Sequence, residues 1–164
     1  MPGCTTRRLL ALITIPIAAV LGGTSATASV VPSYVPEGEA SITPGVMMYT
    51  DGAQCTANFV FRDAAGRRYV GYAAHCAGLG EATDTNGCST PSLPLGTRVR
   101  FAEGGNLADD GTTVGHGRLA YSSWLSMQAA GESGVNPCTY NDFALVRVAK
   151  GSRAGGRRRT ARSG

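Results

Sequence analysis

Through the middle of this chain apolar residues recur at every second position in short runs, each closed by glycine, proline, aspartate or asparagine. Val46 to Thr50 is the first run, and Asp51-Gly52 closes it. Cys55 to Arg62 is the second, with Phe59 and Phe61 on one face. Asp63 to Gly66 is a turn, and Arg68 to Ala73 is the third run. Thr97 to Phe101 alternates most cleanly, with Val99 and Phe101 on one face and arginines on the other. Thr112 to Tyr121, which contains Val114 and Leu119, and Phe143 to Val148 complete the set. Such alternation between turn signals predicts six short β-strands. No amphipathic helical pattern runs longer than a few turns. Ser123 to Ala130 is a short-helix candidate, with Trp124 as a core or loop anchor. The long stretches Ala77 to Leu95 and Ser122 to Asn141 read as loops. These features predict an all-β fold, a barrel or a sandwich. A six-stranded antiparallel barrel is the economical choice, because closure removes exposed strand edges.

Composition is consistent with this picture. The chain has 164 residues, 43% apolar and 16% charged, which suits one globular body and excludes a wholly disordered chain. The first segment is expected to be an export signal. Arg7 and Arg8 precede an apolar run from Leu9 to Leu21, and Ala26-Thr27-Ala28 has the small-x-small pattern of a cleavage site. We therefore expect residues 1–28 to be a signal peptide and the product to be secreted. The apolar run falls short of the roughly 20 residues a membrane span requires, so no membrane partner is expected after cleavage. Residues 29–44 carry three prolines and read as a linker or short pro-region.

Export alters the cysteine arithmetic. Cleavage removes Cys4 and leaves Cys55, Cys76, Cys88 and Cys138. An even number in an oxidising compartment predicts two disulfides, with three connectivities open. Cys55 and Cys76 lie one hairpin apart, so a bond between them is geometrically reasonable. One joining Cys88 to Cys138 would tie the two long loops together. No C-x-x-C pair exists, and the two histidines lack finger spacing, so no metal and no cofactor are expected.

The net charge of +4 conceals two regions of opposite sign. Residues 29–149 sum to −4, and residues 150–164 carry six cations without an acid. That tail is almost wholly glycine, alanine, serine, threonine and arginine, and is expected to be disordered. No aromatic residue interleaves with its arginines, so nucleic acid is not an expected partner. A basic-tail polyanion binder is the least favoured functional class.

Chemistry concentrates in two places. Tyr72-Ala73-Ala74-His75-Cys76 puts a histidine at the end of an apolar strand, beside a cysteine. Asn141-Asp142-Phe143-Ala144-Leu145-Val146 puts an acid just before another apolar strand. A carboxylate accepting from an imidazole N–H fixes its tautomer and stabilises the imidazolium formed on proton transfer. Alone, Asp142 is more simply a turn residue and His75 a packed core histidine. His116, between Gly115 and Gly117, reads as a solvent-facing strand residue.

Taken together, A-A-H-C, a cysteine one hairpin upstream and D-x-A-L-x-x-V downstream resemble the chymotrypsin-like (trypsin-like) serine proteases. Gly45-Val46-Met47-Met48-Tyr49, Gly52, Cys55-Thr56 and Phe59 are similar to the secreted bacterial branch. The resemblance covers roughly Gly45 to Val148, within a barrel domain expected over residues 45–149. It implies the first of two six-stranded barrels, with His75 as general base and Asp142 as its orienting acid. The family nucleophile, in G-D-S-G-G, has no counterpart here. Ser152 and Ser163 lack the motif, and Glu132-Ser133-Gly134 precedes Asp142 and reads as loop. The oxyanion hole and specificity pocket that the family builds in its second barrel are missing with it. We therefore expect a truncated or frameshifted family member, inactive alone. A protein or peptide substrate is expected only if a second barrel complements it. The alternative is a non-catalytic protein-binding half-protease module.

Overall fold

The computed structural model describes residues 37–155, apart from 52, 82 and 107. The expected signal segment, most of the linker and the arginine cluster Arg157-Arg158-Arg159 lie outside the described residues. In chain order the strands are β1 (Met47–Thr50), β2 (Ala53–Thr56), β3 (Val60–Arg62), β4 (Arg68–Tyr72), β5 (Arg98–Glu103), β6 (Thr112–Ser122) and β7 (Ala144–Val148). Two helices, α1 (Ser123–Ala130) and α2 (Val135–Tyr140), lie between β6 and β7. All strand pairs are antiparallel, in one sheet ordered β2-β1-β5-β6-β7-β4-β3. The all-β expectation therefore holds.

The strand count differs from six for a local reason. The second apolar run is split, because its backbone changes partner midway. β2 pairs with β1, and β3 pairs with β4. At the changeover Ala57 donates to the Val46 carbonyl and accepts from Gly45 N–H. One residue later Asn58 donates to the Gly71 carbonyl, and Gly71 donates to that of Phe59. The side-chain pattern carries no mark of this switch. The β1–β2 turn is as expected: Thr50 faces Ala53, and Asp51 takes φ 47°, as tight hairpin turns require.

The inward positions form the core. Met48, Val70, Tyr72, Val99, Phe101, Leu119 and Val146 are fully buried, each such side chain contributing roughly 1.5–3 kcal/mol. Gly117 is glycine because the interior is full at that point. A Cβ there would meet a Val146 methyl, the Arg147 carbonyl and the Phe101 ring. The Tyr72 hydroxyl shares a 3.2 Å hydrogen bond with Thr50, and burial raises its pKa.

α1 appears where expected. The Ser122 side chain caps its start and Gly131, at φ 66°, closes it. Trp124 is buried at its first turn. α2 was not expected, since Asn136, Pro137 and Thr139 are poor helix formers. Cys138 fastens it to Cys88.

Two boundaries also move. Ile42, assigned by composition to the linker, is fully buried. It pairs in parallel with Ala154, which composition assigned to the disordered tail. Ser41 and Ile42 N–H groups both donate to the Arg153 carbonyl, Gly155 N–H donates to that of Ile42, and Arg153 pairs with Glu39 at 2.9 Å. The body thus extends from at least residue 41 to residue 155. One apolar side chain in a polar stretch gives no periodicity, so pattern could not find it.

Candidate active site

The site begins where β4 ends. After Tyr72 the backbone tightens into a 3-10 turn, Ala74–Ala77, and Gly78 N–H donates to the His75 carbonyl at 2.8 Å. Ala74, Cys76 and Ala77 are buried, while His75 faces outward. Cys76 is bonded to Cys55 of β2, and Cys88 to Cys138. Of the three possible connectivities this is the one adopted. Chain entropy assigns about 3 and about 4 kcal/mol to loops of 21 and 50 residues.

Asp142 stands just before β7, which pairs with β4 so that Ala144 faces Tyr72. This antiparallel register brings the end of one strand to the start of the other. Asp142 then holds His75 twice. Its Oδ1 accepts from the His75 backbone N–H at 2.8 Å, and its Oδ2 lies 2.6 Å from His75 Nδ1. The two residues are 67 positions apart. A carboxylate only accepts, so the pairing favours the Nδ1–H tautomer and leaves the lone pair on Nε2. The His75 side chain is 46% exposed, so a group placed at Nε2 can give it a proton.

Ser123 is the residue that sequence reasoning missed. It is buried, and its hydroxyl spans the segment that carries Asp142. It donates to the Asn141 carbonyl at 2.7 Å and accepts from Phe143 N–H at 3.0 Å. The Ser123 N–H also donates to the Phe143 carbonyl. Three bonds therefore fix the backbone on both sides of the acid. A serine pair ahead of a helix signals a cap, which Ser122 supplies, but nothing in the pattern signals the second role.

From Phe143, the residue after Asp142, a chain of ring contacts at 5.9–6.4 Å between centroids takes in Tyr121, Phe61 and Phe59. Phe59 is 66% exposed, so this aromatic strip beside Asp142 opens to solvent.

The other singled-out residues are not brought here. Ser133 lies in the loop before α2, where its N–H and that of Gly134 donate to Glu132 Oε1. Those bonds, Gly134's first, hold the Glu132 carboxyl below its usual range. Ser152 sits beside Gly115, in a groove shared with His116. Among the described residues Cys55, His75 and Cys76 form the one cluster with metal-ligand spacing, but both sulfurs are used in the disulfide. Comparisons with protein-family models, curated proteins and solved structures gave no match. The two disulfides are those of a protein that matures in an oxidising environment. Among the described residues no helix is long and apolar enough to cross a membrane.

Proposed function

We propose that this chain is the base-and-acid half of a secreted, trypsin-like serine endopeptidase. His75 is the general base, Asp142 orients it, and the nucleophile comes from outside these 164 residues. One observation carries the reading: Asp142 grips both the backbone N–H and Nδ1 of His75 across 67 residues. A strand-capping aspartate would need neither bond. The barrel expected for this half is a closed ring of six strands. The backbone bonds of residues 57–59 support closure, because one bent strand, Ala53 to Arg62, would then serve both edges of the sheet. The exposed aromatic strip beside Asp142 supports a missing protein partner, since contiguous apolar surface is where proteins dock.

In the proposed mechanism Nε2 takes the proton of a serine hydroxyl as it attacks the scissile carbonyl. Asp142 stabilises the imidazolium that results, and the same proton then passes to the leaving amine. The oxyanion donors and the specificity pocket are contributed with the serine. Without them the 164-residue chain hydrolyses no peptide. Nitrogen NMR of His75 tests the base: the Nδ1–H tautomer is expected at pH 7.5, and Asp142→Asn is expected to abolish that preference. A dominant Nε2–H tautomer in the unsubstituted chain would overturn the assignment. Labelling of the purified chain by a serine-directed fluorophosphonate would overturn the placement of the nucleophile elsewhere.

A further inference from the structure

At the opposite end of the strands from His75 lies an open groove of about 870 Å³. Tyr72 faces Ala144 beside the catalytic pair, whereas Tyr69 faces Arg147 further along the same two strands. The four steps from Arg68 to Tyr72 span about 13 Å of strand, so the two places are separate. Arg68, Arg98, Arg118, Arg147, Lys150 and His116 line the groove, and no acid does. Arg67 also reaches it, but is paired with Asp63. Among the described residues nothing pairs with the charged ends of Arg68, Arg98, Arg147 or Lys150, and Arg118 only donates to the Gly96 carbonyl.

The register makes this arrangement costly. Arg98 stands directly opposite Arg118, and Arg118 directly opposite Arg147. Three arginines thus form a row across three neighbouring strands of a body that is otherwise acidic. Like charges directly opposite one another destabilise a sheet. An external anion would reverse that cost, since guanidinium forks match phosphate oxygens two at a time. At the usual strand spacing the row spans about 10 Å, more than a single phosphate covers. No phenylalanine, tyrosine or tryptophan lines the groove, so it lacks the stacking platform that single-stranded nucleic-acid sites use, and charge dominates its lining.

We propose that this groove binds a base-free phosphopolymer, an extended chain of phosphate groups recognised by charge and spacing. The site is independent of His75 and Asp142 and does not require the peptidase reading. Binding anchors the secreted body to an anionic polymer and leaves the catalytic pair free.

The probe is medium-chain inorganic polyphosphate, titrated by calorimetry against the full chain from 50 to 300 mM salt. Two variants separate the groove from the tail. One replaces Arg98, Arg118 and Arg147 by serine, and the other replaces Arg157, Arg158 and Arg159 by serine. The groove variant should bind on the order of 30-fold more weakly. Its salt slope should be shallower by roughly 2, at about 0.7 for each phosphate no longer neutralised. The tail variant should keep most of its affinity. Polyphosphate should raise the thermal midpoint of the unsubstituted chain and leave that of the groove variant unmoved, which separates lost binding from lost folding. Loss of binding in the tail variant alone would overturn the proposal. Equal affinity for orthophosphate, or tighter binding of oligo(dT) at matched charge, would overturn its polymer and base-free parts.

Discussion

The two ends of β4 and β7 are built on opposite principles. At one end the polar groups are matched: Asp142 is shared between two donors on His75, Ser123 satisfies the backbone on both sides, and a disulfide adjoins the histidine. At the other, four cations lack a partner among the described residues, and three arginines stand in register. The first end is complete in its hydrogen bonding, and under the proposed function what it awaits is a reacting group. The second is incomplete in charge, and what it lacks is a counterion. Satisfied hydrogen bonds hold side chains in one geometry, whereas unmatched charge stores attraction for something outside the fold.

That contrast can be broken at four points, taken in order of expected effect. Replacing Cys88 and Cys138 by serine should lower unfolding stability by about 4 kcal/mol in denaturant melts, because it unties the stretch that leads into Asp142 from the one that follows His75. An unchanged melt would mean that this end is not held by its crosslink. Ser123→Ala should cost about 1–3 kcal/mol, since it strands Phe143 N–H and the Asn141 carbonyl. It should also weaken the Nδ1–H preference of His75, which a purely structural serine would leave intact. Arg147→Thr should act in the other direction. We expect a gain of up to about 1 kcal/mol at low salt, fading as salt screens the arginine row. A loss of stability would show that the row is not repulsive.

The smallest effect concerns His116. Burial, then the charges of Arg98 and Arg100, hold its imidazole below its ordinary 6.5. The unfolded chain therefore takes up the proton first as pH falls. Stability should decline from near pH 6.5 down to the depressed folded value, and level off below it. His116→Asn should flatten that part of the profile, measured as the difference between the two melting-point curves. An identical slope in both proteins would leave the basic end without the field we assign to it.

Much of the first end could be read from residues alone. His75 and Asp142 sit where apolar alternation stops, and a strand terminus is visible in sequence. The clean alternation around Val99 and Phe101 was enough to place β5, and Trp124 sits in the core as an anchor should. What stayed hidden depends on pairing rather than on pattern. The change of partner at Ala57 and Asn58 leaves no trace in side chains. The bridge from Ile42 to Ala154 joins residues 112 positions apart. Ser123 acts through backbone groups that every residue possesses. The arginine row was the least legible, because each arginine looks like an ordinary solvent-facing strand residue. Only the register, with its bulges near Ala102 and between Leu119 and Tyr121, sets the three abreast.

The bridge between Ile42 and Ala154 has a consequence of its own. The described body begins and ends at this one buried bridge, and the two segments that form it run in the same direction. Because the pairing is parallel, the chain reaches the bridge through Ser41 on one side of it and leaves through Gly155 on the other. The fold acts in that respect as a clasp: the first and last segments of the described body hold each other through buried Ile42 and Ala154, so neither peels away without releasing the other.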